Sequence, residues 1–392
     1  MRPAVLSLML VVFGLTTGEF VIAGILPEVS GGLSVSVPAA GMLVTAYAIG
    51  MIVGGPVVTL LTARMSRRRL VAGLVVFAIF ANLGSALAPN YPVLLAMRAA
   101  AGLIVATFFA VAIATAVSTA EPGKQASAVA RVALGLNLGI VLGTPIGALI
   151  GQSFGWRATF VAVALCVGLA LPVVLRYLPD APGTAAESVL GELRVFGDRA
   201  VWSAIALTVL GNIGVVTVFT FIAPLLTDFS GFGAGAVPVL LLVYGAGAVV
   251  GNQVGGWLAD RTRTAVASLL AVLAAALLLF WALGGGRIAA VVLTFVIGAL
   301  AFAIVPGMQT RVITAAAAAP TLAVAVNASG FQLAAAGAGR LGGWVLGDGS
   351  GLRAIPLVGA MLTLAGLVLA LVLLWRDRAQ VAAPAPELAE KR

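Results

Sequence analysis

Residues 40–61 read AGMLVTAYAIGMIVGGPVVTLL without one charged side chain, and residues 62–69 follow as TARMSRRR. At 1.5 Å per residue, an α-helix over the first stretch is roughly 33 Å long, close to the hydrocarbon thickness of a bilayer. The second stretch is a basic stop at the membrane surface. Apolar runs of this kind stand at about 4–26, 40–61, 70–89, 93–117, 127–151, 157–178, 200–224, 236–259, 264–283, 288–308, 318–346 and 354–375, each long enough for a spanning helix. The first run follows Arg2, but it is too long for the core of a signal peptide, holds Glu19 and lacks a small-residue cleavage site; it is expected to stay as a helix.

Composition agrees. Of 392 residues, 62% are hydrophobic and 9% are charged, against roughly 45–50% and about 25% in a soluble domain. A soluble fold cannot hide so much apolar surface, whereas lipid is itself the apolar phase. About twelve spans with short loops use up nearly the whole chain, which leaves no room for a soluble catalytic domain. The expected fold class is therefore an all-α integral membrane protein, and an enzyme is not expected. No histidine is present, which excludes His-based metal sites and His proton relays. Cys166 is the single cysteine and reads as a small packing residue. No cofactor is expected. Of 22 basic residues only Lys124 and Lys391 are lysine, a bias that suggests a GC-rich bacterial genome.

The net charge of +9 reads as orientation. With the N-terminus cytoplasmic, Arg2, Arg64, Arg67, Arg68, Arg69, Lys124, Arg131, Arg176, Arg194, Arg199, Arg261, Arg263, Arg311, Arg376, Arg378, Lys391 and Arg392 all fall at inner positions, which is 17 of 22. Only Arg157, Arg287 and Arg353 fall outside, while Arg98 and Arg340 lie within spans. This obeys the positive-inside rule and argues against nucleic acid as a partner. Both termini and the polar loop 179–199 are then cytoplasmic.

That loop divides the chain near its midpoint, and the halves repeat. Tyr47, Gly50, Val53, Gly54, Val57, Leu61 and Arg64 recur 197 residues later as Tyr244, Gly247, Val250, Gly251, Val254, Leu258 and Arg261. Gly147, Gly151, Gly155 and Arg157 recur 196 later as Gly343, Gly347, Gly351 and Arg353. An even number of spans per half gives parallel repeats with a substrate cavity between them. The expected organisation is a six-helix bundle over 1–178, a central loop over 179–199, and a second six-helix bundle with a short tail over 200–392.

These motifs carry a resemblance. Gly256-Trp257-Leu258-Ala259-Asp260-Arg261 resembles the signature loop of the major facilitator superfamily. Its first-half copy departs, with Ala63 where an Asp is expected and Ser66 where a Gly is expected. The gating role that the resemblance implies therefore falls on Asp260 and Arg261, with Arg64 remaining in the first half. Arg98-Ala99-Ala100-Ala101-Gly102 resembles the superfamily's Arg-x-x-x-Gly motif, which implies a part for Arg98 in proton coupling. Gly139-x-x-x-Gly143-Thr144-Pro145-x-Gly147 resembles the motif of exporters, which implies a gating part for Gly143, Pro145 and Gly147. The plainer reading of that stretch is close helix packing by small residues. Thr17-Gly18-Glu19-Phe20 through Leu26-Pro27-Glu28 resembles the opening of twelve-span drug:proton antiporters. The whole chain is most similar to the chloramphenicol-resistance exporters of actinomycetes.

The residues themselves supply a route for coupling. There is no Gly-x-x-x-x-Gly-Lys-Ser/Thr loop, because Gly123-Lys124 is followed by Gln125; direct ATP drive is not expected. Of the 13 carboxylates, twelve fall in loops, tails or span ends, Glu28 among them. Glu19 alone lies well inside a span, about 10 Å from its outer end. A charge there costs roughly 2.5–3.5 kcal/mol, so desolvation favours the neutral acid. Glu19 is either the proton carrier or a structural carboxyl paired with a neighbouring donor. Arg98 either tunes it or binds backbone carbonyls. Tyr47, Asn137, Asn212, Phe219 and Tyr244 offer the mix of aromatic faces and neutral polar groups that a small drug requires, or serve as interhelical packing.

The reading is proton-coupled efflux of a small neutral drug, chloramphenicol first, by alternating access. Its rivals are an exporter of another small solute, such as a sugar derivative, and a passive facilitator. The expected partners are the drug, protons and the lipid bilayer of a bacterial inner membrane, with the chain acting as a monomer. Topology gives the first test. In a Cys166→Ala background, Ser188→Cys in the central loop should resist an impermeant thiol reagent added to intact cells; labelling from outside would refute the orientation.

Overall fold

In a computed structural model of the chain, residues 3–62, 64–120, 125–178, 180, 199–315 and 320–382 are described. Regular structure among them is helical throughout. The central-loop residues 181–198, the charges Arg2, Glu121 and Lys124, the position Ala63 and the tail beyond 382 lie outside the described residues.

Among the described residues, ten helices are each long and apolar enough to cross a membrane, and eleven if the bent pair at the start is one span. The remaining expected span is Pro320–Gly347, a helix of full length. It carries Asn327, Gln332, Arg340 and many small residues. Its packing accounts for this. It lies against the second span, Val37–Thr62, where the Thr45 hydroxyl donates to the Ala336 carbonyl at 2.8 Å. A helix that faces protein has no need of a lipid-compatible surface.

The expectation of one continuous first span is corrected. Pro3–Phe20 and Ile22–Gly32 meet at a 52° bend around Val21. Glu28, read as a span end, sits inside the second piece. The seventh span breaks in the same way after Arg199–Thr220, continuing as Ile222–Pro224 and a π-helical turn at Leu225–Phe229. Discontinuous helices of this kind are where transporters place their sites. The fifth span carries a π-helical turn at Gly139–Gly143 just before Pro145. Thr144 supplies both its N–H and its hydroxyl, at 3.3 Å, to the Gly139 carbonyl. A proline cannot extend the helical ladder, and the π turn absorbs the mismatch.

The repeat seen in the sequence is a repeat of contacts. In the first half, Gly50, Gly54 and Gly102 lie directly against the Ala99, Leu103 and Tyr47 carbonyls. In the second half, Gly247, Gly251 and Gly298 lie against the Phe295, Ala299 and Tyr244 carbonyls. Span 2 thus crosses span 4, and span 8 crosses span 10, through the same backbone-to-glycine interlock. The turns repeat as well. Gly155 (φ 85°) and Gly351 (φ 74°) both adopt the left-handed conformation that glycine tolerates. The arginine two residues on ties each turn to a neighbour: Arg157 donates to the Ala88 carbonyl at 3.0 Å, and Arg353 to the Trp281 carbonyl at 3.2 Å.

The halves close on each other at the end of the bundle remote from the chain termini. Gly24 packs on Leu241, Gly245 on Val141, Gly339 on Gly41 and Thr45, and Gly41 on Phe221. Toward the other end the described glycines have their nearest neighbours within their own half. The interlock yields a stability test. A side chain at Gly251 would drive its Cβ into the Ala299 carbonyl, which is helix backbone and cannot turn aside. Gly251→Val should lower thermal stability in detergent by on the order of 1–3 kcal/mol or more. Gly256→Ala, where nothing stands within 4 Å, should leave it nearly unchanged.

Candidate functional site

The bend in the first span leaves the carbonyls of its last turn without helical partners. Arg98, in the helix Tyr91–Leu103, answers two of them. Its Nη1 donates to the Gly18 carbonyl at 2.8 Å and its Nη2 to the Glu19 carbonyl at 3.4 Å. The side chain is fully buried, and its guanidinium lies 4.3 Å from the Tyr47 ring centre and 5.8 Å from that of Phe160. Among the described residues it forms no ion pair with the Glu19 carboxylate, and its Nε has no partner. The tuning role read from the sequence therefore acts through the main chain and the field of the cation. The alternative reading, backbone binding, is what the geometry displays.

Glu19 turns elsewhere. Its Oε1 accepts from Gln332 Nε2 at 3.0 Å, across the boundary between the halves. Both side chains are partly buried. Beside them, Phe20 packs edge-on against Phe219 with ring centres 5.9 Å apart, and Phe219 lies 4.7 Å from Tyr244. Tyr47, Phe219 and Tyr244 are buried around this point, and the Tyr47 hydroxyl donates to the Leu15 carbonyl at 3.3 Å. The structure thus gathers Glu19, Arg98, Tyr47, Phe219 and Tyr244 at one level of the bundle, on the floor of the layer where the halves touch. Gln332 is the member that sequence reasoning missed. An uncharged polar residue inside a span was the available signal.

Other expected residues fall apart from this cluster. Asn212 is buried in packing, donating to the Thr208 carbonyl at 2.7 Å and lying 3.3 Å from Met308 Sδ. Its neighbour Thr208 donates to Asn327 Oδ1 at 2.8 Å. These bonds display the packing alternative for Asn212: its amide nitrogen is occupied inside the second half. Asn137 is exposed, one turn toward the termini from Val141. Arg340 is exposed in a groove of about 490 Å³ between spans 2 and 11, with Pro38, Met42 and Trp344.

Gly143 and Gly147 serve packing in this structure. Gly135, Gly139, Gly143, Gly147 and Gly151 meet Met9, Phe13, Thr17, Val21 and Ile25, so both helices are read at steps of four. This column runs past the bend and past the π turn together. At the termini end, Asp260, Arg261 and Arg64 are exposed, and Arg261 stacks on Trp257 at 4.0 Å. Asp260 and Arg64 form no ion pair there.

A fold of spanning helices in two repeated bundles, with broken first helices meeting at a buried polar site, defines a membrane transporter. The sequence profile of the Major Facilitator Superfamily matches residues 8–322, and the chain belongs to that family. It is 36% identical over 368 residues to the inner membrane transport protein YdhP of Escherichia coli K12, covering 94% of each chain. It is 36% identical over 343 residues to a chloramphenicol resistance protein of Streptomyces lividans, covering 86% of this chain and 87% of that one. Among solved structures, a bacterial homologue of the human lysosomal transporter Spinster, inward-facing and occupied, superposes with a TM-score of 0.74 at 15% identity over 95% of this chain and 97% of that one. A D-xylose–proton symporter superposes with a TM-score of 0.70 at 18% identity, covering 94% and 97%. The chain is therefore a multi-pass transporter of small molecules and not an enzyme.

Arg98 offers a test of how the bend is held. Arg98→Lys keeps a buried cation but loses the fork that spans two carbonyls. It should cost about 1–3 kcal/mol of stability, read as a lower unfolding temperature in detergent. Arg98→Met removes every donor, leaves both carbonyls unsatisfied and should cost at least as much. Equal stability of Arg98→Lys and the parent protein would show that the carbonyls do not depend on the guanidinium.

Proposed function

We propose that the chain is a proton-driven exporter of a small, neutral, partly aromatic drug, with chloramphenicol as the first candidate. The observation that carries this is Glu19. Among the described residues it is the one carboxylate in mid-bundle, partly buried; it lies against the aromatic cluster of Phe20, Phe219 and Tyr244, and a hydrogen bond ties it to the opposite half. Proton and drug would then meet at one place, and alternating access would expose that place to one side at a time. The relative from Streptomyces lividans supports the drug class. The charge pattern supports a bacterial inner membrane with both termini cytoplasmic, which makes the end of the bundle at the chain termini the cytoplasmic one. The sequence 1–178, 179–199 and 200–392 would be bundle, cytoplasmic linker and bundle, with Asp260, Arg261 and Arg64 at the cytoplasmic gate.

The cycle follows from exchange. Outside, Glu19 takes a proton and drug leaves; inside, the proton leaves and drug binds. One charge crossing 100 mV supplies roughly 2.3 kcal/mol, enough for a drug ratio of about 50-fold. Expression should raise chloramphenicol resistance and lower its cellular accumulation, and an uncoupler should restore accumulation. Glu19→Gln keeps size and hydrogen bonding but cannot titrate. It should insert and bind drug, lose the pH dependence of binding, and fail to move drug uphill in vesicles under an imposed pH gradient. Glu19→Asp should keep partial activity. Full uphill transport by Glu19→Gln would end the proposal, and loss of uncoupler sensitivity in the parent protein would favour a passive facilitator.

A further inference from the structure

We infer that Gln332 is a positioning residue that latches the two halves when Glu19 carries neither proton nor drug, and so makes exchange obligatory. The inference rests on the proposed proton coupling. Its starting point is the Gln332 Nε2 to Glu19 Oε1 bond of 3.0 Å, which joins spans 11 and 1. One turn further along span 11, Ala336 accepts from Thr45 of span 2, so the bond sits beside a second cross-half contact in the closed layer. The other end of the same amide, Gln332 Oε1, is buried and has no partner.

An amide is both donor and acceptor, and a carboxyl changes from one to the other when it takes a proton. Against the carboxylate, Nε2 makes a charge-assisted bond, about twice as strong as a neutral one. Against the acid, the O–H needs an acceptor. Gln332 Oε1 is such an acceptor, and it gives up no bond by turning. Protonation thus exchanges a strong cross-half bond for a weak one. Drug seated against Phe20, Phe219 and Tyr244 would displace the amide outright. Either ligand releases the halves, and the empty carboxylate holds them. A carrier that cannot turn over empty can only exchange.

The groups around Glu19 leave this pair as the titrating contact. Span 4 brings Arg98, held by main-chain carbonyls. Span 2 brings Tyr47, whose hydroxyl bonds the Leu15 carbonyl. Span 5 brings glycines, span 6 brings Phe160 and Val163, and span 7 brings Phe219, backed by Tyr244. In span 11 the charged residue is Arg340, two turns beyond Gln332.

Gln332→Met keeps the length and removes donor and acceptor. Reconstituted in vesicles with chloramphenicol, it should lose uphill accumulation and gain net downhill drug flux without a pH gradient. Its drug binding should keep the pH dependence of the parent protein, since Glu19 still titrates. Gln332→Asn should recover part of the uphill transport. Unchanged uphill transport by Gln332→Met, or loss of downhill flux along with it, would overturn the latch while leaving proton coupling intact. A parent protein whose transport ignores the proton gradient would remove both. A second measurement does not depend on the variant. In Cys166→Ala, spin labels at Ser34→Cys and Ser350→Cys, on exposed turns at the closed end of opposite halves, should report a short distance without drug at high pH and a mixture of short and long distances at low pH. A distance distribution indifferent to pH would also overturn the latch.

Discussion

Inside a bilayer there is no water to complete a backbone hydrogen bond, so an interrupted helix must be satisfied by its neighbours. The first span is interrupted after Phe20, at the middle of the bundle. Arg98 supplies the donors that the Gly18 and Glu19 carbonyls lose. The consequence reaches the carboxyl. A guanidinium committed to main chain is not free to pair with the Glu19 side chain, which would otherwise hold it charged. The Glu19 carboxylate is left to a neutral partner from the other half, and a neutral partner permits both protonation states.

Close approach is the second constraint, and glycine supplies it. In lipid the helices gain little from apolar burial and associate by packing. The column from Gly135 to Gly151 holds the fifth span against the first across the whole bend. The π turn of one meets the turn just before the bend of the other, so neither helix straightens alone. The interlocks of span 2 with span 4 and of span 8 with span 10 make each half stiff internally. Flexibility is left to the boundary between halves, which is where a rocking transporter needs it.

Much of this was legible in one sequence. The repeat was visible because Tyr, Gly and Arg recur at a fixed lag, and the contacts explain why those types recur: Gly50, Gly54, Gly247 and Gly251 each face a carbonyl, and Arg157 and Arg353 each tie down a turn. Glu19 and Arg98 were legible because charge in a span is costly. The bend itself was not legible. No proline or glycine stands at Val21, and the helix yields there because Arg98 offers its carbonyls another partner. The Glu19–Gln332 pair was not legible either, since 313 residues separate the two and a single chain does not say which spans touch. The setting of Asn212 was not legible, because an asparagine in a span looks the same whether it faces a cavity or bonds the carbonyl one turn back.

The repeat also shows where symmetry has been given up. At the lags that relate Tyr47 to Tyr244 and Gly102 to Gly298, Glu19 corresponds to Val216 and Arg98 to Thr294. The second half has the same interlock and the same tyrosine but no intramembrane charge pair. Thr294 is buried, and its hydroxyl has no partner, where the first half has a guanidinium. The second half instead brings Phe219, Tyr244 and Gln332 to the common site. One half therefore holds the group that can gain or lose a proton, and the other holds aromatic surface and an amide that can answer to it. A proton bound in one half can bias the position of the other only through contacts that cross the boundary at that level. The hydrogen bond to Gln332 and the edge of Phe20 on Phe219 are the contacts that do so at the site itself.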